Sequence, residues 1–487
     1  MEIGEIVNIY EKLKEERRKK GKVAILKNFL LCLKENEIEA SIYFLLGKLP
    51  SIGYSILKRS TILKTVKPLN IKNVEEIYNY LIKIKKVSKH KKEMAISSLI
   101  SQFDDRERKF IINSLLGQLR YGVEEGLMLE AISNAWGIKK ERIERAYLFS
   151  SIPEIVKYAR INKIENLKMK LFKPIKPMMA DAAKIEDLKG KYAVEYKFDG
   201  IRIQIHIGNK IKIFSRNLRE ITGFLPEIVE DFSSIEKEVI LDGEVIAFHK
   251  KPLPFQYLMR KFRIKNKIDI PIKTFIFDIL FLDGKELIDL EYRKRWEILK
   301  DITSNFKNLL PPHITTTKIS EIKKFFDDAV KKGYEGIVAK ELRSKYRIRK
   351  GWYKIKKSYT LDLAIIAAEW GHGRRHRWLS DYWLAVLDRG KFHMVGKTFK
   401  GLSDEEFEEI TKILLKNKIK EEGRVVFVKP CIVVEVEFDD IQESNRYGLA
   451  LRFARIKRIR WDKDIKEINS FDDLKKIYRI MKNKRNF

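Results

Sequence analysis

The spacing of apolar residues changes character twice along this chain, and the changes cut it into three stretches that cannot share one fold. Up to about residue 170, apolar residues recur every three or four positions, as at Ile3, Val7, Tyr10 and Leu13, and again at Ile112, Leu115, Leu116 and Leu119. That is the period of an α-helix with one buried face. Gly47, Pro50, Gly53, Gly117, Gly122 and Gly126 punctuate the run and predict short helices. From about residue 191, β-branched and aromatic residues alternate instead, at 192–197, 201–207, 210–215, 238–248 and 274–282, with helical stretches at 289–303 and 320–332. A third pattern begins at 361. Strands at 361–368, 382–388, 391–397, 424–428 and 432–438 flank one amphipathic helix at 403–416. Five short strands and one helix predict a small OB-type β-barrel. The Pro174–Pro177 step reads as a boundary, and 470–483 as a short basic helix. The expected architecture is multidomain: an all-α domain over 1–175, a mixed α/β domain over 176–358, and an OB-fold domain with a C-terminal helix over 359–487.

Charge narrows the partner. The net charge is +33, of which residues 1–180, with 36 Lys+Arg and 21 Asp+Glu, supply +15 and the remainder +18. A body basic throughout suits a polyanion gripped by several domains at once. With 44% hydrophobic residues the chain can bury sizeable cores, which excludes wholesale disorder. Cys32 and Cys431 are the only cysteines, too few for a disulfide framework or a four-cysteine zinc site. No apolar run is long enough to span a membrane, and the acidic N-terminus is unlike a signal peptide. The chain reads as a cytoplasmic protein without membrane contact.

Within the second stretch lies the run Glu195-Tyr196-Lys197-Phe198-Asp199-Gly200-Ile201-Arg202. An Asp-Gly pair favours a tight turn, and glycine removes bulk where a nucleotide must lie close. Lys197 is therefore a candidate covalent nucleophile. An amine attacks phosphorus only when deprotonated, whereas a free lysine has a pKa of about 10.4. Neighbouring cations and desolvation are expected to lower it. Lys354, Lys356 and Arg202 are the candidate neighbours, and would also hold phosphate oxygens. Lys354 and Lys356 alternate on one strand and so point to one side.

Further strings follow in order: Ser215-Arg216-Asn217, Leu241-Asp242-Gly243-Glu244-Val245, which places a glutamate at a turn inside a strand pair, Phe275-Ile276-Phe277-Asp278, Glu335-Gly336-Ile337-Val338-Ala339-Lys340 and Trp352-Tyr353-Lys354-Ile355-Lys356. The barrel adds Leu451-Arg452-Phe453-Ala454-Arg455 and Arg460-Trp461-Asp462-Lys463. In this order they resemble the ATP-dependent DNA ligases of the archaeal and eukaryotic replicative type, within the covalent nucleotidyltransferase superfamily. The likeness spans nearly the whole chain. The helical stretch is similar to that family's DNA-binding domain, most recognisably from Arg108-Lys109-Phe110 to Gly117–Val123.

The resemblance implies that ATP donates AMP to Lys197, that AMP passes to the 5′-phosphate of a nick in duplex DNA, and that the 3′-hydroxyl then displaces it. It implies ribose contact for Glu244, a Mg²⁺ position at Glu335 with Glu244 nearby, and adenine contacts from Glu195 and Phe277. Phe275 shares a strand face with Phe277, so the motif match decides between them. Arg216 is expected near the nick phosphate and nucleotide. Arg349 is expected at the nucleotide phosphate, with Arg347 and Lys350 as alternatives in a loop about three residues shorter than the family's. Arg460 and Lys463 would orient the departing pyrophosphate once the barrel closes about a hinge at 357–361. The Trp370–Trp378 loop, rich in cations and aromatics, is expected on the phosphate backbone. A monomer is expected, with a sliding clamp as a candidate partner. The rival readings are an RNA ligase or mRNA guanylyltransferase, which the helical N-terminus disfavours, and a non-catalytic nucleic-acid-binding protein, which Lys197, Glu244 and Glu335 disfavour. The missing zinc cysteines disfavour an NAD-dependent ligase.

Overall fold

The computed structural model describes all residues except 51, 54, 58–67, 120, 254, 264–269, 307–308, 349–350, 372–374 and 487. Arg120, Arg349 and Lys350 therefore lie outside the described residues, as do three positions of the Trp370–Trp378 loop. The chain divides into two compact units, Met1–Met178 and Met179–Phe487.

The first unit is helical as expected, with no strand pairing beyond an isolated bridge among its described residues. Of the predicted stripe, Ile3, Val7 and Leu13 are buried. Tyr10 lies with its ring 5.0 Å from Phe110 and 5.0 Å from Tyr121, while its hydroxyl donates to Leu119 O at 3.2 Å. The core thus takes the apolar body of the tyrosine and satisfies its polar tip.

In the second unit, the five expected strands become β2 (Tyr192–Lys197), β3 (Ile201–Ile207), β4 (Ile211–Ser215), β5 (Val239–His249) and β7 (Ile272–Leu282), and the strand expected to carry Lys354 and Lys356 becomes β11 (Trp352–Lys356); β1 (Asp181–Ala182), β6 (Lys251–Pro252), β8 (Lys285–Glu286), β9 (His313–Thr316) and β10 (Gly336–Glu341) add to them. They form two sheets, ordered β1-β11-β10-β2-β9 and β4-β3-β5-β7-β8, with β6 added against β5. Consecutive strands β2 and β3 belong to different sheets. The link Phe198-Asp199-Gly200 carries the chain from one to the other, and Lys197 ends the first side of that link.

Two expectations change here. Glu244 does not sit at a turn: Asp242-Gly243 runs straight through β5, paired with β3 on one side and β7 on the other. A bulge replaces the turn. Gly243 faces Ile276 and Asp242 faces Asp278, so Phe277 is the extra residue of the bulge. This separates two aromatics that simple alternation would keep together. Phe275 stacks on Phe198 at 4.0 Å in the core, and Phe277 is released to line a cavity.

The remainder is the strand-rich barrel: β12 (Tyr359–Trp370), β13 (Leu379–Asp388), β14 (Lys391–Thr398), β15 (Lys418–Glu422), β16 (Val425–Val428), β17 (Val433–Phe438), β18 (Asp440–Ser444), β19 (Gly448–Arg452) and β20 (Arg455–Ile459). The curled sheet runs β14-β13-β12-β16-β15, with β17 bridging β12 and β20, and β18–β19 form a hairpin. There are more strands than the five expected. β15 is exposed along its whole length and has Ile419 as its one apolar residue, so it carries no apolar alternation to read. The helix Asp404–Lys416 begins where expected because Ser403 and Glu406 form a reciprocal capping box. No helix among the described residues is long and apolar enough to cross a membrane.

Candidate active site

The two sheets contribute to one cavity of about 250 Å³. From the first sheet it takes Glu195, Lys197, Val338, Lys340, Trp352, Lys354 and Lys356. From the second it takes Arg202, Glu244 and Phe277, and Arg216 joins from the turn after β4. Two glycines fix the close approach. Gly200 lines the cavity, but its missing side chain makes room for protein: a Cβ there would collide with Val245 O on β5. Gly336, with φ +151°, lies so close to Ile355 O on β11 that no side chain fits. Its neighbour Glu335 is thereby held beside Lys197, and donates its backbone N–H to Lys197 O at 3.1 Å.

One part of the cavity wall is deeply buried. Glu195 Oε2 accepts from Lys340 Nζ at 2.7 Å, and Glu195 Oε1 from the hydroxyl of Tyr292. Lys340 also donates to Phe277 O at 2.9 Å, with its ammonium 4.7 Å from the Phe277 ring and 4.3 Å from Trp352. Burial would push the Glu195 carboxyl up, but Lys340 outweighs it and holds the group below the usual carboxylate range. Arg202 closes this side. It forms a two-pronged pair with Asp242, at 3.0 and 2.6 Å, and its guanidinium lies over Phe277 and Trp352. The Trp352 Nε1 is a buried donor with no protein partner, in the wall of the cavity.

The other part mixes charges and is more open. Lys197 Nζ meets Glu335 Oε2 at 2.6 Å, and Lys356 pairs with Glu335 Oε1. Glu244 Oε1 accepts from Gly200 N at 3.2 Å. Burial pushes the Glu244 carboxyl up to about 6, Lys197 and Arg202 oppose it, and the charge of Glu335 adds to it. Lys354 is shifted down by burial and by Lys356, Lys197 and Arg216. Lys197 departs from expectation. Burial lowers it, but the Glu335 and Glu244 carboxylates outweigh burial and raise its pKa. The lowering expected from neighbouring cations falls on Lys354 instead, because Lys197 pairs directly with the Glu335 carboxylate whereas Lys354 is shifted by burial and by the cations around it.

Of the expected residues, Glu195, Lys197, Arg202, Arg216, Glu244, Phe277, Lys354 and Lys356 line this single cavity, and Glu335 is paired to two of them. Arg347 does not line it: it pairs with Asp289 and donates to Ile288 O at 3.2 Å. Arg460 and Lys463 do not line it either, and both engage Asp362 on β12, at 3.0 and 2.7 Å. Sequence reasoning assigned no role to Lys340, Trp352 or Tyr292. Lys340 and Trp352 stood inside the quoted strings, but Tyr292 opens the helix Tyr292–Ile302 in a segment read only as helical.

Two sheets sharing a cavity, followed by a curled OB-type barrel, define the fold of a covalent nucleotidyltransferase. Family models match in chain order: "DNA ligase N terminus" over 46–133, "ATP dependent DNA ligase domain" over 177–356 and "ATP dependent DNA ligase C terminal region" over 375–463. The DNA ligase 1 of Korarchaeum cryptofilum is 42% identical over 432 residues, covering 83% of this chain and 79% of the relative. The DNA ligase of Thermococcus fumicolans is 34% identical, covering 91% of this chain and 85% of the relative. The solved structure described as "Pmar-Lig_PreS3" shares the fold, with a TM-score of 0.66 at 19% identity over 93% of this chain and 99% of that one. The chain belongs to the ATP-dependent DNA ligases.

Proposed function

We propose that this chain seals 5′-phosphate/3′-hydroxyl nicks in duplex DNA with ATP, through AMP carried on Lys197. The observation that carries this reading is the meeting of Lys197, Glu335, Lys354, Lys356 and Arg216 around one cavity whose other wall is Phe277, Trp352 and Glu195. A nucleotide fits the chemistry of that wall. Its base takes the aromatic faces, its polar edge meets Glu195 and the orphaned Trp352 Nε1, and its phosphates meet the cations.

In the first step the neutral Lys197 amine attacks the α-phosphorus. A P–N bond forms, the bond to pyrophosphate breaks, and Glu335 is the nearest acceptor for the lysine proton. In the second, an oxygen of the DNA 5′-phosphate attacks the same phosphorus and the P–N bond breaks, giving DNA-adenylate. In the third, the 3′-hydroxyl attacks the 5′-phosphorus and AMP leaves. Lys354, Lys356 and Arg216 hold the phosphoryl oxygens throughout.

Glu335 and Glu244 fit a Mg²⁺ ion. Among the described residues no cluster of three or more ligating side chains is present, but Mg²⁺ is satisfied by one or two carboxylates with phosphate oxygens and water. The Glu244 carboxyl is raised mainly by burial, and the charge of Glu335 adds to it, so a cation held by the two would favour the ionised form of Glu244. When bound, that ion supplies neutralisation of phosphate charge.

Arg460 and Lys463, anchored on Asp362, are proposed to exchange that carboxylate for the departing pyrophosphate when the barrel closes about residues 357–361. Residues 1–175, 176–358 and 359–487 are assigned to DNA binding, adenylation and the OB-fold, working as a cytoplasmic monomer on nicked duplex, with a sliding clamp as candidate partner. The test is label transfer: α-labelled ATP should leave label on the chain, pyrophosphate should discharge it, and NAD should give none. Undiminished labelling of Lys197→Ala would overturn the covalent reading.

A further inference from the structure

Glu195 is held on more sides than base contact alone explains. Its two oxygens are engaged separately, Oε2 by Lys340 at 2.7 Å and Oε1 by the Tyr292 hydroxyl, while His313 Nδ1 stands 3.7 Å from Oε1. Tyr292 is fully buried and does not line the cavity. It is placed by backbone: its N–H donates to Ser344 O at 2.8 Å and that of Arg293 to Leu342 O at 3.0 Å, so the first turn of its helix is pinned to the segment after β10. Its ring has the Lys340 ammonium 4.6 Å and the Arg295 guanidinium 5.6 Å from its centroid. Behind Glu195, His313 stacks on Trp296 at 4.4 Å, and its buried Nδ1 has no hydrogen-bond partner.

We propose that Tyr292, backed by His313, is a positioning residue that fixes the Glu195 carboxylate so that it accepts from the exocyclic amine of adenine and rejects bases lacking that donor. A carboxylate free to turn about its last torsion accepts from many partners; one clamped at both oxygens offers its remaining lone pairs in fixed directions. Tyr292 remains a donor because burial and the Glu195 charge keep its phenol protonated. Neither Tyr292 nor His313 touches the nucleotide in this scheme, and the proposal rests on the reading that Glu195 meets the adenine edge.

The experiment measures self-adenylylation of the full chain with ATP and with purine riboside triphosphate, which lacks the 6-amino group, for wild type, Tyr292→Phe, His313→Gln and Glu195→Gln. Tyr292→Phe keeps the ring and removes one hydrogen bond to a charged acceptor, so KM for ATP should rise about tenfold with kcat nearly unchanged. KM for the analogue should not move, and preference for ATP should shrink accordingly. His313→Gln should shift the ATP preference the same way by a smaller factor. Equal losses with both nucleotides would make Tyr292 a purely structural residue and overturn the proposal. So would an intact ATP preference in Tyr292→Phe when Glu195→Gln has lost it. If Glu195→Gln itself keeps the preference, the base reading of Glu195 fails, and the positioning role falls with it.

Discussion

The two parts of the cavity wall are built on opposite plans. Around Glu195 the charged groups, Glu195 with Lys340 and Arg202 with Asp242, are paired within the protein and packed against Phe277, Trp352 and Tyr292. Around Lys197 the cations share two carboxylates and remain accessible: the side chains of Lys197, Glu335 and Lys356 keep 19%, 25% and 26% exposure. A base-recognition surface gains from being finished before the ligand arrives, since nothing then needs reordering on binding. A surface that must bind, transfer and release phosphates cannot be finished in that way. Its charges have to exchange partners at each step.

This contrast separates what mutations should damage. Lys197→Ala should abolish label transfer, by roughly a thousandfold or more, with little change in thermal unfolding; near-normal labelling would remove the nucleophile from the open part. Lys340→Met should do the reverse, leaving the Glu195 charge buried without its cation and costing about 3–5 kcal/mol of stability in denaturant unfolding. A loss of that size in Lys354→Met, which should instead slow self-adenylylation about a hundredfold at near-wild-type stability, would erase the distinction. Phe277→Ala should raise KM for ATP about tenfold through lost base stacking, with kcat less affected.

A pH dependence is confined to the open part. Glu244 carries a folded pKa of about 6 against an ordinary 4.5. The folded chain therefore holds a proton that the unfolded chain has released. Its contribution to stability falls as pH rises from about 4.5 to about 6, by about 2 kcal/mol in all. Glu244→Gln should flatten unfolding stability across that window, and an unchanged slope would show that the Glu244 carboxyl is not raised in the folded chain.

The legibility of the sequence follows the same division. The open part was largely readable: Lys197, Lys354, Lys356, Glu244 and Glu335 sit in short strings where local spacing places the chemistry. The sealed part was read only where a string supplied the residue. Glu195 and Phe277 were named, but their supports Lys340, Tyr292 and His313 come from β10, the start of a helix and β9, and no local pattern ties them together. The Phe275 and Phe277 pair shows the cause most directly. Alternation assigns both to one face, and only the bulge against Gly243 separates them, a register set by the neighbouring strand. In the barrel, β15 was missed because an exposed edge strand buries no apolar face.

By itself the sequence determined the helical and strand-rich classes of the chain's parts, the basic character suited to a polyanion, and which lysine is proposed to carry the chemistry. These follow from residue periodicity, charge and local spacing, which need no long-range contact. Only the tertiary structure decided the protonation balance of Lys197. Three nearby cations in sequence reasoning argued for a lowered pKa, and the carboxylates of Glu335, at 2.6 Å, and Glu244 reversed the sign. Electrostatic energy depends on distance through a partly desolvated interior, and those distances exist only once two sheets have closed on each other.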